Sequence, residues 1–268
     1  MYRVVCLDLD GTLLNSNKNI SKSDRETIKK LKKHNVQVVL ASGRHIWEIT
    51  KYARELDLTA EDFIVSCDGQ YIYDSFGNLL WENLFLSKRD VLWLVKKLSA
   101  NFSVFTNDRD YKLKNYVGYK CLLRKIKKIQ NKKEQISLIE LLLLPMLEIE
   151  KIVIVGIPVT SIKRKRFGAR EYSGGRLELT YCNVDKYTAI AQLRKMGCIK
   201  DGDKILYFGD DVNDKMCFEK LHYCVAMGNA IPEIKEKALF ITKDCDNSGV
   251  SFALEKIFDM KELYKEKI

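Results

Sequence analysis

Four short segments of this chain carry side chains whose types and spacing could do chemistry together. Asp8-Leu9-Asp10-Gly11-Thr12 offers two carboxylates two positions apart, a glycine and a hydroxyl. Ser42-Gly43-Arg44 offers a second hydroxyl next to a glycine. Lys186 offers an ammonium, and Gly209-Asp210-Asp211-Val212-Asn213-Asp214 offers three more carboxylates and an amide. Carboxylates crowded together repel one another unless a cation sits between them, and hard oxygen donors favour Mg²⁺. A metal ion with a lysine and a hydroxyl makes an electropositive cradle for a phosphoryl group. Transfer of that group needs mainly positioning and charge neutralisation.

These segments can act together only if the fold brings them to one edge. The first 82 residues read as alternating strands and helices. Arg3 to Leu7, Val36 to Ala41 and Phe63 to Ser66 are short apolar runs that predict buried strands. Ser21 to His34 and Ile46 to Leu56 read as helices. Ser21 with Asp24 resembles a capping box, and Asn35 suits the left-handed closing position. Tyr71 to Trp81 reads as a hairpin around Asp74-Ser75-Phe76-Gly77-Asn78. The middle region mixes helices (88–99, 119–131) with strands (103–106, 151–156, 176–181). After Lys186 the alternation resumes: a helix over Tyr187 to Met196, a strand over Lys204 to Phe208, and a helix over Lys215 to Leu221. Short strands near 224–226 and 240–242 and a helix from about Val250 complete the prediction. Strand–helix–strand alternation implies a parallel sheet, and ligands of such sheets bind at the carboxyl ends of the strands. Three of the four chemical segments follow strands there.

In order and spacing, Asp8-Leu9-Asp10-Gly11-Thr12, Ser42, Lys186 and Gly209-Asp210-x-x-Asn213-Asp214 resemble the four motifs of the haloacid dehalogenase superfamily of phosphohydrolases. Gly43-Arg44, Val225-Ala226-Met227-Gly228-Asn229-Ala230 and Asp246-Asn247-Ser248-Gly249-Val250 resemble its Cof-type subfamily. The resemblance implies an α/β fold: a Rossmann-like parallel-sheet core from residues 1–82 and 186–268, with an inserted α/β cap, residues 83–185, that selects the substrate. It implies Asp8 as the nucleophile that becomes an aspartyl-phosphate. Asp10 would protonate the leaving oxygen and then deprotonate water. Mg²⁺ is implied at Asp8, at Asp10 through its carbonyl, and at Asp210 and Asp214. Ser42, Gly43, Lys186 and Asn213 would bind phosphoryl oxygens, with Lys186 also offsetting the charge of Asp8. The substrate implied is a small phosphorylated metabolite, of the sugar phosphate, pyridoxal phosphate or flavin mononucleotide type. Cys67-Asp68-Gly69 stands where the family often has Asn-Gly-Ala, and Ser42 where threonine is commoner. Asp211 falls in a variable slot and reads as a solvated or capping residue. Arg44 and Asn229 divide evenly between turn or surface roles and the site. His34, His45 and His222 read as structural.

Composition sets the frame for this expectation. The 268 residues are 46% hydrophobic and 31% charged, an ordinary globular balance that argues against disorder. The most apolar stretch, Ile136 to Leu147, is interrupted by Glu140 and Pro145, so no membrane span is expected. With no signal peptide evident after Tyr2-Arg3, the expected location is cytoplasmic. The eight cysteines form no C-x-x-C pair and read as small buried thiols. The net charge of +10 is uneven: residues 83–185 hold 21 Lys+Arg and 10 Asp+Glu, the remainder 25 and 26. That split suggests an inserted middle domain. Its basic run from Lys112 to Gln135 could steer anions. The favoured reading is a solvated helix face, with Cys121, Leu122, Ile126 and Ile129 as its apolar stripe. Two other classes compete with a phosphatase. A sugar phosphomutase could use the same core. A nucleic-acid-binding protein could use it as scaffold, but Tyr111, Tyr116 and Tyr119 are few stacking partners and no RNA motif accompanies them.

Overall fold

The structure is a computed structural model that describes residues 2–98, 100, 102–106, 110–113, 133–136, 138–143, 148–162 and 165–258. The chain divides into two compact units, Met1–Asn83 with Val184–Ile268, and Leu84–Asn183. The expected helix at 119–131 and most of the basic run lie outside the described residues.

The first unit is built on an eight-stranded sheet. Its strands are β1 (Tyr2–Leu7), β2 (Gln37–Ala41), β3 (Phe63–Ser66), β4 (Tyr71–Asp74), β5 (Leu79–Glu82), β12 (Lys204–Gly209), β13 (Tyr223–Ala226) and β14 (Phe240–Ile241). They lie in the order β14-β13-β12-β1-β2-β3-β4-β5. From β14 to β3 all pairings are parallel, and the predicted hairpin adds β4 and β5 antiparallel at one edge. The apolar runs explain the three central strands. Val4 to Leu7, Val38 to Ala41 and Ile205 to Gly209 are buried, as expected for strands covered on both faces. Helices α1 (Lys22–Lys33), α2 (Ile46–Glu55), α5 (Lys186–Lys195), α6 (Lys215–Lys220), α7 (Pro232–Lys235) and α8 (Gly249–Ile257) connect and flank these strands.

The second unit carries a six-stranded sheet ordered β10-β11-β9-β6-β7-β8. Its strands are β6 (Phe102–Thr106), β7 (Asp110–Leu113), β8 (Lys133–Ile136), β9 (Ile149–Val155), β10 (Phe167–Tyr172) and β11 (Arg176–Tyr181), with helices α3 (Lys88–Lys97) and α4 (Leu138–Leu143). Val91, Leu94, Phe102, Val104, Ile152, Ile154, Leu177 and Leu179 form part of a separate core. Among the described residues no helix is long and apolar enough to cross a membrane. No two of the seven described cysteines are joined by a disulfide.

One polar contact closes the first unit across its sequence ends. Ser21 caps α1, accepting the Asp24 N–H at 3.0 Å, and Asn35 takes φ 56° after the helix ends. Asp24 itself is fully buried. It accepts the Ser21 hydroxyl at 2.8 Å and the Ser251 N–H of α8 at 2.7 Å. Asp24→Ala leaves that buried N–H unpaired, which costs ~1–3 kcal/mol. Urea denaturation should register a loss of that size; an unchanged midpoint would mean water replaces the carboxylate.

Candidate active site

Register sets the site. Leu7 of β1 pairs with Leu40 of β2 on one side and Phe208 of β12 on the other. The next residues therefore leave the sheet side by side: Asp8 after β1, Ser42 after β2 and Asp210 after β12. The Asp8 N–H still donates to the Phe208 carbonyl at 3.1 Å. Here the strand order turns from β1 toward β2 on one side and β12 on the other, the usual crevice of an open parallel sheet.

Lys186 opens α5, whose N-cap Asp185 accepts the Thr188 N–H at 2.8 Å. Its side chain is fully buried. The ammonium lies 2.5 Å from Asp8 Oδ1 and 2.7 Å from Asp214 Oδ1. Asp214 is saturated: Tyr207 Oη donates to Oδ1 at 2.6 Å, and the Asp210 and Asp211 N–H groups donate to Oδ2 at 2.8 and 3.1 Å. Asp211 caps the turn at 212–214, as its sequence position suggested. Asp210 accepts from Thr12 Oγ1 at 3.0 Å and from Asn229 Nδ2 at 3.3 Å. Asn229 also donates to the Gly11 carbonyl at 2.8 Å, so it joins the two loops that bear Asp8 and Asp210. Gly11 has φ 83°, and a methyl group there would run into the Asp210 carboxylate. The chain can pass that close to Asp210 only as glycine.

One carboxylate oxygen from each of Asp8, Asp210 and Asp214 fits within a 4.8 Å span. Three carboxylates crowd around one ammonium, and the imbalance shows in the acidities of Asp8 and Asp210. Burial pushes the Asp8 carboxyl well above the usual range; Asp214 and Asp210 add to this while Lys186 opposes it. Burial raises Asp210 to about 7, helped by Asp214 and resisted by the Thr12 hydrogen bond and Lys186. Burial alone would discharge Lys186, but Asp214 and Asp8 outweigh it and keep it protonated.

Asp10 has other partners. Its Oδ2 accepts from Arg44 Nε at 2.6 Å, and its Oδ1 from Arg44 Nη2 at 2.7 Å and Lys18 Nζ at 2.6 Å. Burial works against its charge, but these bonds win and hold the carboxyl at about 2. Lys18 takes a left-handed φ of 61°, and its carbonyl accepts from Tyr52 Oη at 3.0 Å. Ser42 is buried, and its hydroxyl accepts the Arg44 N–H at 3.2 Å. Gly43 lies against Asp68, which accepts Asn213 Nδ2 at 2.9 Å.

The structure thus gathers Asp8, Lys186, Asp210 and Asp214 tightly. It sets Asp10 in an ion pair with Arg44 and Lys18 and places both Asn213 and Gly43 against Asp68. Arg44 and Asn229, evenly divided on sequence, both contact site aspartates. Lys18 and Tyr207 were not singled out by sequence. Lys18 lies in a polar loop and Tyr207 inside a strand, where a tyrosine looks like core. His45 caps α2, stacks on Trp47 and lies 3.3 Å from Cys67 Sγ through Nδ1.

A family model described as haloacid dehalogenase-like hydrolase matches residues 5–254. The chain belongs to this family. It is 26% identical to the 5-amino-6-(5-phospho-D-ribitylamino)uracil phosphatase YwtE of Bacillus subtilis, over 95% of this chain and 98% of that one. It is 24% identical to the HMP-PP phosphatase of Citrobacter koseri, over 98% of each. The crystal structure of a haloacid dehalogenase-like hydrolase from Bacteroides thetaiotaomicron superposes with a TM-score of 0.70 at 27% identity, covering 96% of this chain and all of that one. This haloacid dehalogenase-like hydrolase is a phosphoric monoester hydrolase with an α/β core and a second sheet unit.

Lys186 is a structural necessity in this hydrolase, as the buried counterion of Asp8 and Asp214. Lys186→Met strands two buried carboxylates without a counterion, and such breaks cost ~3–5 kcal/mol. Denaturant titration at neutral pH should show that loss; a variant as stable as the wild type would show that the carboxylates are balanced some other way.

Proposed function

We propose that this hydrolase cleaves small phosphorylated metabolites with Mg²⁺, through an aspartyl-phosphate on Asp8. The observation that carries the reading is the cluster of Asp8, Asp210 and Asp214 oxygens within a 4.8 Å span, with the Lys186 ammonium bonded to Asp8 and Asp214. All donors are hard oxygens, and the fully ionised cluster lacks two positive charges, so a divalent cation fits it. Asp8 and Asp210, with the Asp10 carbonyl, would hold Mg²⁺. Asp214, whose oxygens already accept four donors, would support it by fixing Lys186 and the 210–211 turn. When bound, Mg²⁺ would neutralise the phosphoryl oxygens and let an anionic nucleophile approach an anionic substrate.

The remaining steps belong to the chain. Lys186 and the Ser42–Gly43 segment bind phosphoryl oxygens, and Asn213 adds an amide donor. Asp8 attacks phosphorus as the P–O bond to the leaving group breaks. Asp10 gives the leaving oxygen its proton, then takes one from the water that hydrolyses the aspartyl-phosphate. In the ion pair with Arg44 and Lys18 its carboxyl cannot carry that proton at neutral pH. An anionic substrate that competes for these two cations releases it. The names of the relatives support a small metabolite, since one acts on a phosphoribitylamino uracil and another on HMP-PP.

Mg²⁺ should raise the melting temperature of the wild type, because a ligand of the folded state alone stabilises it. Asp210→Asn should lose most of that shift, and excess chelator should abolish turnover. Full activity in chelator would sink the metal reading. Asp8→Asn should be inactive on every phosphomonoester in a metabolite panel, and any residual turnover through this site would remove Asp8 as nucleophile.

Asp10→Asn should respond to the leaving group. General acid catalysis is typically worth ~10²–10⁴-fold, and matters most for a poor leaving group such as a sugar alkoxide. The variant should lose about that factor on a sugar phosphate. With p-nitrophenyl phosphate it should give a burst of p-nitrophenol and keep labelled phosphate on Asp8. Equal losses on both substrates without covalent label would reassign Asp10.

A further inference from the structure

The turn after β3 is built in an expensive way. Cys67, Asp68 and Gly69 all take left-handed backbone, with φ of 50°, 54° and 101°. Gly69 needs its glycine, because a Cβ there would strike the Asp185 carbonyl just before Lys186. The conformation at position 68 also suits glycine best, yet an aspartate stands there. Its carboxylate is buried at 3% exposure, a second cost for a charged group. The backbone role of this residue, an N–H donated to the Ser42 carbonyl at 3.0 Å, needs no side chain. The side chain therefore has work of its own.

Its surroundings indicate what that work is. Oδ1 accepts Asn213 Nδ2 at 2.9 Å. Both oxygens lie 3.0 Å from where a Cβ on residue 43 would sit, so only glycine at 43 leaves the carboxylate undisturbed. Asp68 also attracts the Lys186 ammonium, behind Asp214 and Asp8. A carboxylate only accepts, whereas an amide has a donor end and an acceptor end. Beside Asp68, the Asn213 amide is fixed with its NH₂ toward the carboxylate and cannot flip.

We propose that Asp68 is a positioning residue for phosphoryl transfer. By taking one N–H of Asn213 it orients that amide, so that the second N–H faces the phosphoryl group. This rests on the phosphatase reading and on Asn213 as a phosphate ligand within it. It also gives Gly43 a reason: the glycine is the space in which Asp68 lies.

The test is a double-variant cycle on the full chain with Mg²⁺ and p-nitrophenyl phosphate. Asp68→Gly, Asp68→Asn, Asn213→Ala and the Asp68→Gly/Asn213→Ala pair are compared for kcat, KM and melting temperature. Asp68→Gly relaxes the left-handed backbone, so its melting temperature should stay near that of the wild type. Its kcat/KM should nevertheless fall by roughly 10–100-fold, the usual effect of removing a residue that orients a ligand-binding group. Asp68→Asn keeps an acceptor oxygen and should recover most of the activity. In the Asn213→Ala background Asp68→Gly should cost nothing more. Multiplicative losses in the pair, no loss in Asp68→Gly, or no rescue by Asp68→Asn would overturn the assignment. An active wild type with such results overturns the Asp68 role alone; a wild type inactive on every phosphomonoester overturns the phosphatase reading and this inference with it.

Discussion

The candidate active site depends on a charge balance struck within it. Lys186 is a fully buried ammonium between Asp8 and Asp214. Burying any of these charges alone would be prohibitive, and burying them together is tolerable only with near-ideal geometry and further hydrogen bonds. Tyr207 and two backbone N–H groups supply those bonds to Asp214. The rest of the architecture can be understood as the means of holding this set. β1 brings Asp8, β12 and its turn bring Tyr207, Asp210 and Asp214, and α5 brings Lys186 with its N-terminus already capped by Asp185.

The same balance separates the two aspartates of the first motif. Asp8 sits among carboxylates and is pushed toward its neutral form, while Asp10, two residues on, sits among cations and is held ionised. Two chemically identical groups thus acquire opposite characters from their surroundings, as acid–base partners in an active site commonly do. Gly11, with its positive φ, turns the chain immediately after Asp10 and lets it pass against Asp210.

Much of this was legible in the sequence, for identifiable reasons. The central strands read clearly because both faces of a parallel sheet are covered, which leaves uninterrupted runs such as Val38 to Ala41. Ser21 with Asp24 marked the start of α1 because capping chemistry is local. The second unit was less legible. β10, with the sequence FGAREY, was not anticipated, because only Phe167 is buried and its polar residues follow a basic cluster. β7, β8 and α4 were also missed, being four to six residues long. Within the site, the motif aspartates and Lys186 were visible as residue types at set spacings. Lys18 and Tyr207 were not, because a loop lysine and a strand tyrosine are commonplace until the fold gives them partners. The direction of the Asp10 side chain was likewise beyond the sequence, since it depends on Arg44 from another strand end.

The strand order also carries a consequence for how the molecule is made. β1 is flanked by β2, which follows it closely, and by β12, which is synthesised only after the whole second unit. Thr12 and Asp210 meet across 198 positions of chain, and Lys186 and Asp8 across 178. Such separations make closure entropically costly and slow. A ribosome producing this chain from its N-terminus therefore exposes one edge of β1, and an unneutralised Asp8, throughout translation of the insert. The second unit, continuous in sequence with a core of its own, is free to fold in that interval. Completion of the first unit is then a late event, and a chain truncated before β12 lacks Tyr207, Asp210 and Asp214.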